Sequence, residues 1–359
     1  MNYIGSKKSL LTFLETSIYQ ITGKSDLTFI DLFAGTGIVG QHFKKNGHKI
    51  IANDLQYYSY VLNKNYIENN KPLIFKDLEN EIAILTTIPI PKKHYYICDI
   101  LDKIPAVEGF IYNNYCVGGT KNSSVERQYF SDANGKKVDA IRQKIEQWKE
   151  QSLINDSEYY FLLATLIENI DKVANTASVY GAFLKNLKPS AQKNFSMQPA
   201  HFLCDAQNHQ VFNEDAEQLI KNIKGDILYL DPPYNHRQYA PNYHLLETIA
   251  KYDNPELRGK TGLRDYSTQK SKFSQKNEVL QSFENLIDAA VNLAQVKYIF
   301  LSYNNEGLML AEDVAKIMSK KGQYGVFTKE YNRFKADKDV SRTHKAASVT
   351  EYLHYVIVD

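Results

Sequence analysis

The chain has 359 residues, a formal net charge of +2 and 43% hydrophobic residues. That hydrophobic content can bury a sizeable core at this length, so a mostly disordered chain is excluded. The three cysteines, Cys98, Cys116 and Cys204, lack close spacing, which excludes a zinc ribbon and a disulfide framework. No apolar stretch reaches the ~18 residues that span a bilayer, and the first residues lack a signal-peptide pattern. We therefore expect a cytoplasmic protein without a membrane partner.

The first 70 residues alternate between predicted helices and strands. Helical apolar spacing over 6–21 precedes a short apolar run at 27–33, which is typical of a buried parallel strand. A helix over 39–45, a strand over 49–53 and a helix over 56–68 follow. This order predicts a doubly wound parallel sheet.

The pattern changes between residues 71 and 199. Pro72, Pro89, Pro91 and Pro105 interrupt it, and two long helices are predicted over 138–151 and 157–174. We therefore predict an α/β fold in which 1–70 and 200–359 form one discontinuous catalytic domain around a mainly helical insert of 71–199.

The alternation of helices and strands resumes after residue 200. Two terminal strands are predicted close enough to form an antiparallel pair at a sheet edge. In chain order the predicted elements are a helix over 214–223, a strand over 226–230, a helix over 277–294, a strand over 298–301, a helix over 308–319, and strands over 323–334 and 351–358.

A glycine-rich turn follows the first predicted strand. Asp31-Leu-Phe-Ala-Gly-Thr-Gly37 places glycines where a strand meets a helix, so backbone amides can face a ligand closely. Residues 35–40 also satisfy G-x-G-x-x-G, which leaves NAD and plain turn glycines as alternatives. Asp31 can take a positive amino group, and Asp54, after the next strand, can accept both ribose hydroxyls. The position of Asp31 before the glycines and the extra turn at Phe33-Ala34 favour S-adenosyl-L-methionine over NAD.

The strongest motif is Asp231-Pro-Pro-Tyr234, directly after the apolar strand. An exocyclic amino nitrogen is a poor nucleophile because its lone pair is delocalised into the ring. The Asp231 carboxylate and the Pro232 carbonyl can each accept one N–H, which localises that lone pair. Tyr234 offers a ring face on which a base taken out of its helix can stack. A rigid turn after the strand is the alternative explanation.

These motifs together resemble a known family. Residues 2–7, the glycine turn, Asn53-Asp54 and the Asp231 motif occur in the order of the alpha-group, D12-class DNA adenine-N6 methyltransferases. The resemblance spans nearly the whole chain. It implies a Rossmann-like sheet with a target-recognition insert, which transfers methyl from S-adenosyl-L-methionine to N6 of a flipped adenine in double-stranded DNA. Segments 112–130 and 180–193 look similar to the subgroup that modifies the adenine of CATG.

The resemblance also assigns roles to residues. It implies that Asp231, Pro232 and Tyr234 are the catalytic residues. It also implies a separately encoded cognate restriction endonuclease as a partner. Asp215 and residues 301–306 match later family motifs, with a helix N-cap and a polar turn as their respective alternatives. The expected cofactor-binding residues are Tyr3, Lys7, Asp31, Phe33, Gly35, Thr36, Gly37, Asp54 and Asp215.

Basic residues cluster in three segments, 172–200, 257–276 and 328–345. A solvated surface explains each segment alone, but three in one chain favour a groove that follows phosphates. No His, Cys and carboxylate cluster at metal-ligand spacing occurs in the sequence, so no metal site is predicted. The residues that we expect to contact DNA are Lys185, Lys188, Arg237, Arg333 and Lys335.

Three other functions remain open at this point. Methylation of an RNA amino group or a protein glutamine amide uses similar chemistry, although Asn is commoner at position 231 there. A catalytically idle DNA-binding module would not need Lys7, Asp54 and Asp231 together. An NAD oxidoreductase would be separated by a binding assay with both cofactors.

Overall fold

The computed structural model describes residues 3–23, 26–332 and 348–359. The expected DNA contacts Arg333 and Lys335 lie outside these ranges, as does the end of the strand predicted over 323–334. The strands are β1 (Thr28–Asp31), β2 (Lys49–Asn53), β3 (Gln210–Phe212), β4 (Ile227–Leu230), β5 (Tyr298–Asn304), β6 (Gly322–Asn332) and β7 (Ser348–Val358).

Twelve α-helices accompany these strands within the described ranges. They are α1 (Leu11–Thr22), α2 (Ile38–Lys45), α3 (Tyr57–Asn63), α4 (Ile90–Lys103), α5 (Phe110–Tyr115), α6 (Val117–Thr120), α7 (Asp132–Glu150), α8 (Asp156–Val173), α9 (Ala216–Leu219), α10 (Tyr239–Lys251), α11 (Val279–Asn292) and α12 (Ala311–Met318). Short turns of 3-10 helix cover Lys7–Leu10, Asp77–Asn80, Ala83–Thr86, Ser267–Gln269, Lys272–Ser274 and Ser319–Lys321, and a π-helical turn covers Lys64–Glu68.

The contacts of the chain divide it into two compact units. We call the first the helical unit and the second the sheet unit. The helical unit comprises the described residues of Met1–Tyr3, Lys64–Ala206 and Pro241–Tyr266. The sheet unit comprises those of Ile4–Asn63, Gln207–Ala240 and Ser267–Asp359.

The sheet unit contains one sheet with the strand order β3-β2-β1-β4-β5-β7-β6. Strands β3, β2, β1, β4 and β5 pair in parallel, whereas β7 is antiparallel to both β5 and β6. The predicted terminal pair at a sheet edge is therefore confirmed. Strand order reverses between β1 and β4, which pair with Asp31 opposite Tyr229. This reversal is the switch point beside which open α/β sheets bind ligands.

Burial explains why the central strands form here. All four residues of β4 are buried, as expected for a parallel strand covered on both faces. On one face, apolar residues of α11 such as Phe283, Leu286 and Ile287 pack into the main core with Leu228 of β4. The apolar spacing along α11 places these residues on one side of the helix.

The helical unit contains the two long helices that the sequence predicts. Each begins at a side-chain cap: Ser131 accepts a hydrogen bond from the Asn134 N–H before α7, and Asn155 forms a capping box with Glu158 before α8. The buried carboxylate of Asp139 accepts three backbone N–H bonds at the start of α5. All seven strands that the structure describes lie in the sheet unit, so the second unit is mainly helical.

The segment Pro241–Tyr266 groups with the helical unit, although in sequence it lies within 200–359, the range that we predicted to be catalytic. The buried Arg142 guanidinium donates to the carbonyls of Ile249 and Ala250 at the end of α10. The Tyr115 hydroxyl donates to the Gly262 carbonyl at 2.8 Å. These hydrogen bonds are long-range, so local sequence patterns do not reveal them.

Other differences are local. Pro89 and Pro91 were expected to break the helical pattern, but Pro89 is the N-cap of α4 and Pro91 lies in its first turn. Proline is tolerated there because the first helical N–H groups have no partner inside the helix. Strand β3 has only three residues and was missed, and α9 is shorter than the predicted helix over 214–223. No described helix is long and apolar enough to cross a membrane.

Candidate active site

The glycine turn joins β1 to α2 at the carboxyl edge of the sheet. Gly37 has a φ of 76° and is the N-cap of α2. A Cβ at Gly37 would lie 2.5 Å from Asn63 Oδ1, so glycine is required for both conformation and space. Asn63 also donates to the Gly35 carbonyl at 3.0 Å. The half-buried Thr36 lies between these glycines, and the predicted close backbone turn is present.

Asp54 follows β2 and is tied to the same turn. Its Oδ2 accepts the Gly35 N–H at 2.8 Å, and its Oδ1 accepts the Gln56 N–H at 2.8 Å. Two backbone amides therefore fix the orientation of this half-buried carboxylate. This arrangement suits the expected acceptor of ribose hydroxyls.

Asp31 ends β1 with its side chain almost fully buried. Its Oδ2 has no hydrogen-bond partner among the residues that the structure describes. Burial first, and then the nearby charges of Asp231 and Asp54, raises the pKa of Asp31 to about 8. A buried carboxylate with an unpartnered oxygen is costly unless a cation pairs with it. The site thus fits a ligand that carries a positive amino group, as S-adenosyl-L-methionine does.

The Asp231 motif begins directly after β4. Lys7 Nζ lies 3.0 Å from Asp231 Oδ1 and 3.0 Å from Glu351 Oε1. Burial lowers the pKa of Lys7, but the two carboxylates outweigh burial and raise it well above its usual range. The pKa of Asp231 rises to about 6 because burial exceeds the opposing effect of Lys7, and Glu351 raises it further. The Asp231 side chain remains 21% exposed, so a substrate can reach it.

The rest of the motif is held by backbone hydrogen bonds. The Tyr234 carbonyl accepts the Leu308 N–H at 2.8 Å and the Tyr303 hydroxyl at 3.3 Å. The Tyr234 ring is half-buried and packs against the main core, which limits its motion. The Pro232 carbonyl accepts no hydrogen bond from the described part of the chain, so it can serve as an acceptor for a substrate N–H.

The remaining expected cofactor residues are placed as follows. Phe33 is half-buried and packs edge-on against Phe273. Asp215 is exposed, and its side chain accepts the Gln218 N–H at 3.2 Å at the start of α9. Asp215 is therefore a helix N-cap, which was the alternative to a cofactor contact. Tyr3 belongs to the helical unit, where it stacks on Tyr243 with ring centroids 4.8 Å apart. Their contacts with a cofactor stay predictions.

The expected DNA contacts differ from one another in their surroundings. Lys185 and Arg237 are exposed. Lys188 is only half-exposed, and its Nζ donates to the Thr176 carbonyl at 2.7 Å. This contact holds the loop of the helical unit together, so Lys188 is less suited to a phosphate than Lys185.

The sequence analysis missed Glu351 at the site, whereas its partner Ser302 lies within residues 301–306, which match a later family motif. The Ser302 hydroxyl donates to Glu351 Oε1 at 2.5 Å, and both residues are buried. The available signal was an acidic residue inside a predicted strand. Among the described residues, no group of three or more His, Cys, Asp or Glu side chains could hold a metal ion.

The fold and the site define the class of protein. A parallel sheet with an antiparallel strand pair at one edge carries a glycine turn, two adjacent carboxylates and an Asp-Pro-Pro-Tyr motif at its switch point. This combination is that of a methyltransferase with a Rossmann-like sheet that acts on an amino nitrogen.

Comparison with known proteins identifies the family. A model described as D12 class N6 adenine-specific DNA methyltransferase matches residues 3–326. The chain is 54% identical to Type II methyltransferase M.NlaIII of Neisseria lactamica, and the aligned region covers 99% of this chain and 98% of that protein. It is 38% identical to Type II methyltransferase M.FokI of Planomicrobium okeanokoites, over 100% of this chain and 53% of that protein. The chain is 35% identical to Type II methyltransferase M.CviAII of Paramecium bursaria Chlorella virus 1, over 100% of this chain and 99% of that protein.

The chain therefore belongs to the D12 class of N6 adenine-specific DNA methyltransferases. This membership confirms the predicted fold class and the predicted site-specific DNA adenine methyltransferase activity. It decides against an NAD oxidoreductase and against RNA or protein as the methyl acceptor.

Proposed function

We propose that this enzyme transfers a methyl group from S-adenosyl-L-methionine to N6 of an adenine flipped out of double-stranded DNA, within CATG. The observation that carries this proposal is the pairing of β1 with β4, which brings Asp31 and Asp231 to the same edge of adjacent strands. One carboxylate suits the amino group of the methyl donor, and the other suits the amine that accepts the methyl group.

The cofactor would lie along the glycine turn. Asp31 would pair with its amino group, and Asp54 would accept the hydroxyls of its ribose from a position fixed by two amides. When bound, the cofactor supplies an electrophilic methyl on a sulfonium whose leaving group is a neutral thioether. Such a leaving group needs no Lewis acid, so we propose that no metal ion takes part.

Asp231 and Pro232 would act on the acceptor amine. The carboxylate and the carbonyl each accept one N–H, which localises the nitrogen lone pair for direct attack on the methyl carbon. The nitrogen–carbon bond forms while the sulfur–carbon bond breaks, and the sulfur keeps the electron pair. The nitrogen then loses one proton, and Asp231, whose pKa burial raises to about 6, is a better acceptor for it than an ordinary Asp.

Tyr234 would hold the flipped adenine. Its half-buried ring is fixed at the core side, and stacking of a base on such a ring is worth ~1–3 kcal/mol. Flipping costs a few kcal/mol of pairing and stacking, so this contact offsets part of that cost.

We place DNA recognition in the helical unit. The proposal of CATG depends on the resemblance of segments 112–130 and 180–193 to the subgroup that modifies this sequence. The exposed Lys185 would contact phosphate and supply affinity without specificity. A separately encoded restriction endonuclease that cuts the same site is the partner that this function implies.

The proposed roles are tested with Asp231→Ala. We expect methyl transfer to fall by more than tenfold, because one charged acceptor is worth more than ~1.4 kcal/mol in the transition state, while cofactor affinity stays close to that of wild type. Asp99→Ala is the matched control, since Asp99 is exposed on α4 and pairs with Lys103. A variant that keeps more than a tenth of the wild-type rate would contradict the assignment.

The target sequence is tested separately by sequencing methylated DNA from a host that expresses the chain. We expect N6-methyladenine in CATG. Methylation of a different sequence would contradict the proposed site and leave the chemistry at Asp231 intact.

A further inference from the structure

Two buried charged groups, Lys7 and Glu351, lie behind the proposed catalytic carboxylate of Asp231. Lys7 Nζ lies 3.0 Å from one oxygen of Asp231 and 3.0 Å from one oxygen of Glu351. The side chains of Lys7 and Glu351 are 7% and 0% exposed, so solvent screens this contact little. Two carboxylates therefore share one ammonium.

The position of Glu351 follows from strand pairing. Strand β7 runs antiparallel to β5, and Glu351 lies opposite Asn304 in that pairing. Ser302, two residues earlier on β5, donates to the same Oε1 that contacts Lys7, at 2.5 Å. The second oxygen, Oε2, has no hydrogen-bond partner among the described residues.

This arrangement is poor for stability. Burial of a carboxylate with one unsatisfied oxygen costs free energy, and apolar residues of similar volume often stabilise such a position at least as well. The single positive charge of Lys7 does not neutralise both Glu351 and Asp231. A function of the site accounts for a charge that folding alone does not require.

We propose that Glu351 is a positioning residue for methyl transfer: by pairing with Lys7, it fixes the Lys7 ammonium on one oxygen of Asp231 and leaves the other oxygen for the acceptor amine. The inference rests on the proposed role of Asp231. Lys7 has a flexible four-carbon chain, and with one carboxylate partner its ammonium could move between the two Asp231 oxygens. The second partner restricts it to one side.

Glu351 also affects the basicity of Asp231. Burial has the largest effect on the pKa of Asp231 and raises it; Lys7 lowers this pKa, and the negative charge of Glu351 raises it further. The other ionisable groups near Asp231 include Asp31 on β1, Tyr229 on β4 and Tyr234, and burial raises the pKa of the Tyr234 phenol as well. Burial raises the pKa of the Tyr229 phenol well above its usual range, so it stays neutral, and Asp31 would be paired with cofactor during turnover.

The test compares Glu351→Gln with Lys7→Gln. Single-turnover rates are measured against pH at saturating S-adenosyl-L-methionine and duplex DNA, so that changes in binding do not contribute. Glutamine at 351 has the same shape and can still accept from Lys7 and Ser302, so the protein should fold. Glu330→Gln is the matched control, because Glu330 is exposed on the neighbouring strand β6.

We expect Glu351→Gln to lower the plateau rate about tenfold. It should also move the acid limb, the part of the pH–rate profile where the rate falls at low pH, down by about one pH unit, because a like charge near Asp231 is lost. Lys7→Gln should move the same limb up by one to three units, roughly the effect of removing an adjacent cation. The two shifts in opposite directions distinguish positioning and charge from a loss of structure. Glu330→Gln should change neither the rate nor the limb.

Two results would overturn the inference. One is a Glu351→Gln enzyme with a wild-type rate and an unshifted acid limb. The other is a variant that unfolds or loses activity with no shift, since Glu351 would then serve folding alone. Failure of the proposed function is distinguishable: Asp231→Ala would stay active in that case, whereas an inactive Asp231→Ala beside a wild-type Glu351→Gln refutes only the role of Glu351.

Discussion

Substitution of Asp31 by asparagine removes the buried acid that we expect to bind the amino group of the cofactor. In the free protein the pKa of Asp31 is about 8 because of burial and the charges of Asp231 and Asp54. A bound ammonium group favours the ionised carboxylate. Cofactor binding should therefore release a proton from Asp31 near neutral pH.

The size of the effect follows from that pKa. Asp31 is ~99% protonated at pH 6, ~90% at pH 7 and ~50% at pH 8. If only the ionised form binds the ammonium group, the apparent affinity is reduced ~100-fold, ~10-fold and ~2-fold at these pH values. The amino group of the cofactor loses its own proton above about pH 8, so affinity should be highest near there.

Isothermal titration calorimetry with S-adenosylhomocysteine, which carries the same amino group, measures this linkage. Titrations at pH 6, 7 and 8 in buffers of different ionisation enthalpy give both the affinity and the number of protons released. We expect ~0.9 proton released at pH 7. Asp31→Asn should bind ~10- to 100-fold more weakly than wild type at pH 8 and should lose the dependence between pH 6 and pH 7.5.

Thermal unfolding gives an independent measurement. The folded pKa of Asp31 lies above its ordinary value of 3.8, so the folded state holds a proton that the unfolded state loses. The associated stability is present below about pH 4 and is lost as pH rises to about 8. Asp31→Asn should therefore raise the melting temperature at pH 8 and change it little at pH 4. Constant wild-type affinity from pH 6 to 8 without proton release would refute the reasoning.

Three further predictions concern the cofactor turn, the DNA contacts and metal dependence. Asp54→Ala should weaken cofactor binding by about 10- to 100-fold in calorimetry, because it also frees the Gly35 and Gln56 amides; unchanged affinity would contradict the ribose role. Lys185→Ala should make the slope of log affinity against log salt shallower by about one, whereas Lys188→Ala, whose Nζ bonds a backbone carbonyl, should leave the slope unchanged. Activity should persist in excess EDTA, and a loss restored by magnesium would argue against a metal-free displacement.

Local patterns were enough to predict much of the sheet unit. The alternation of apolar runs and helical spacing predicted β1, β2, β4, β5 and the terminal pair, since the periods of strands and helices differ. The glycine turn and the Asp231 motif were readable because their chemistry requires particular residues at fixed spacing. Local patterns missed β3, whose three residues carry too little signal, and α4, whose prolines lie at its start rather than inside it.

Tertiary structure decided what depends on contacts between distant segments. The segment Pro241–Tyr266 joins the helical unit through hydrogen bonds such as that of Tyr115 with Gly262. Asp31 acquires its raised pKa because the assembled sheet buries its side chain and brings the charges of Asp231 and Asp54 close to it.

Glu351 shows the division most clearly. The sequence alone placed it in a terminal strand and identified Lys7 and Asp231 by their motifs. Only the pairing of β7 with β5 brings Glu351 to Lys7 and Ser302, far away in the chain. Periodicity fixes which residues of a strand share a face, but the choice of neighbouring strand depends on the burial of the whole core. A buried charge cluster therefore forms only once the sheet is assembled.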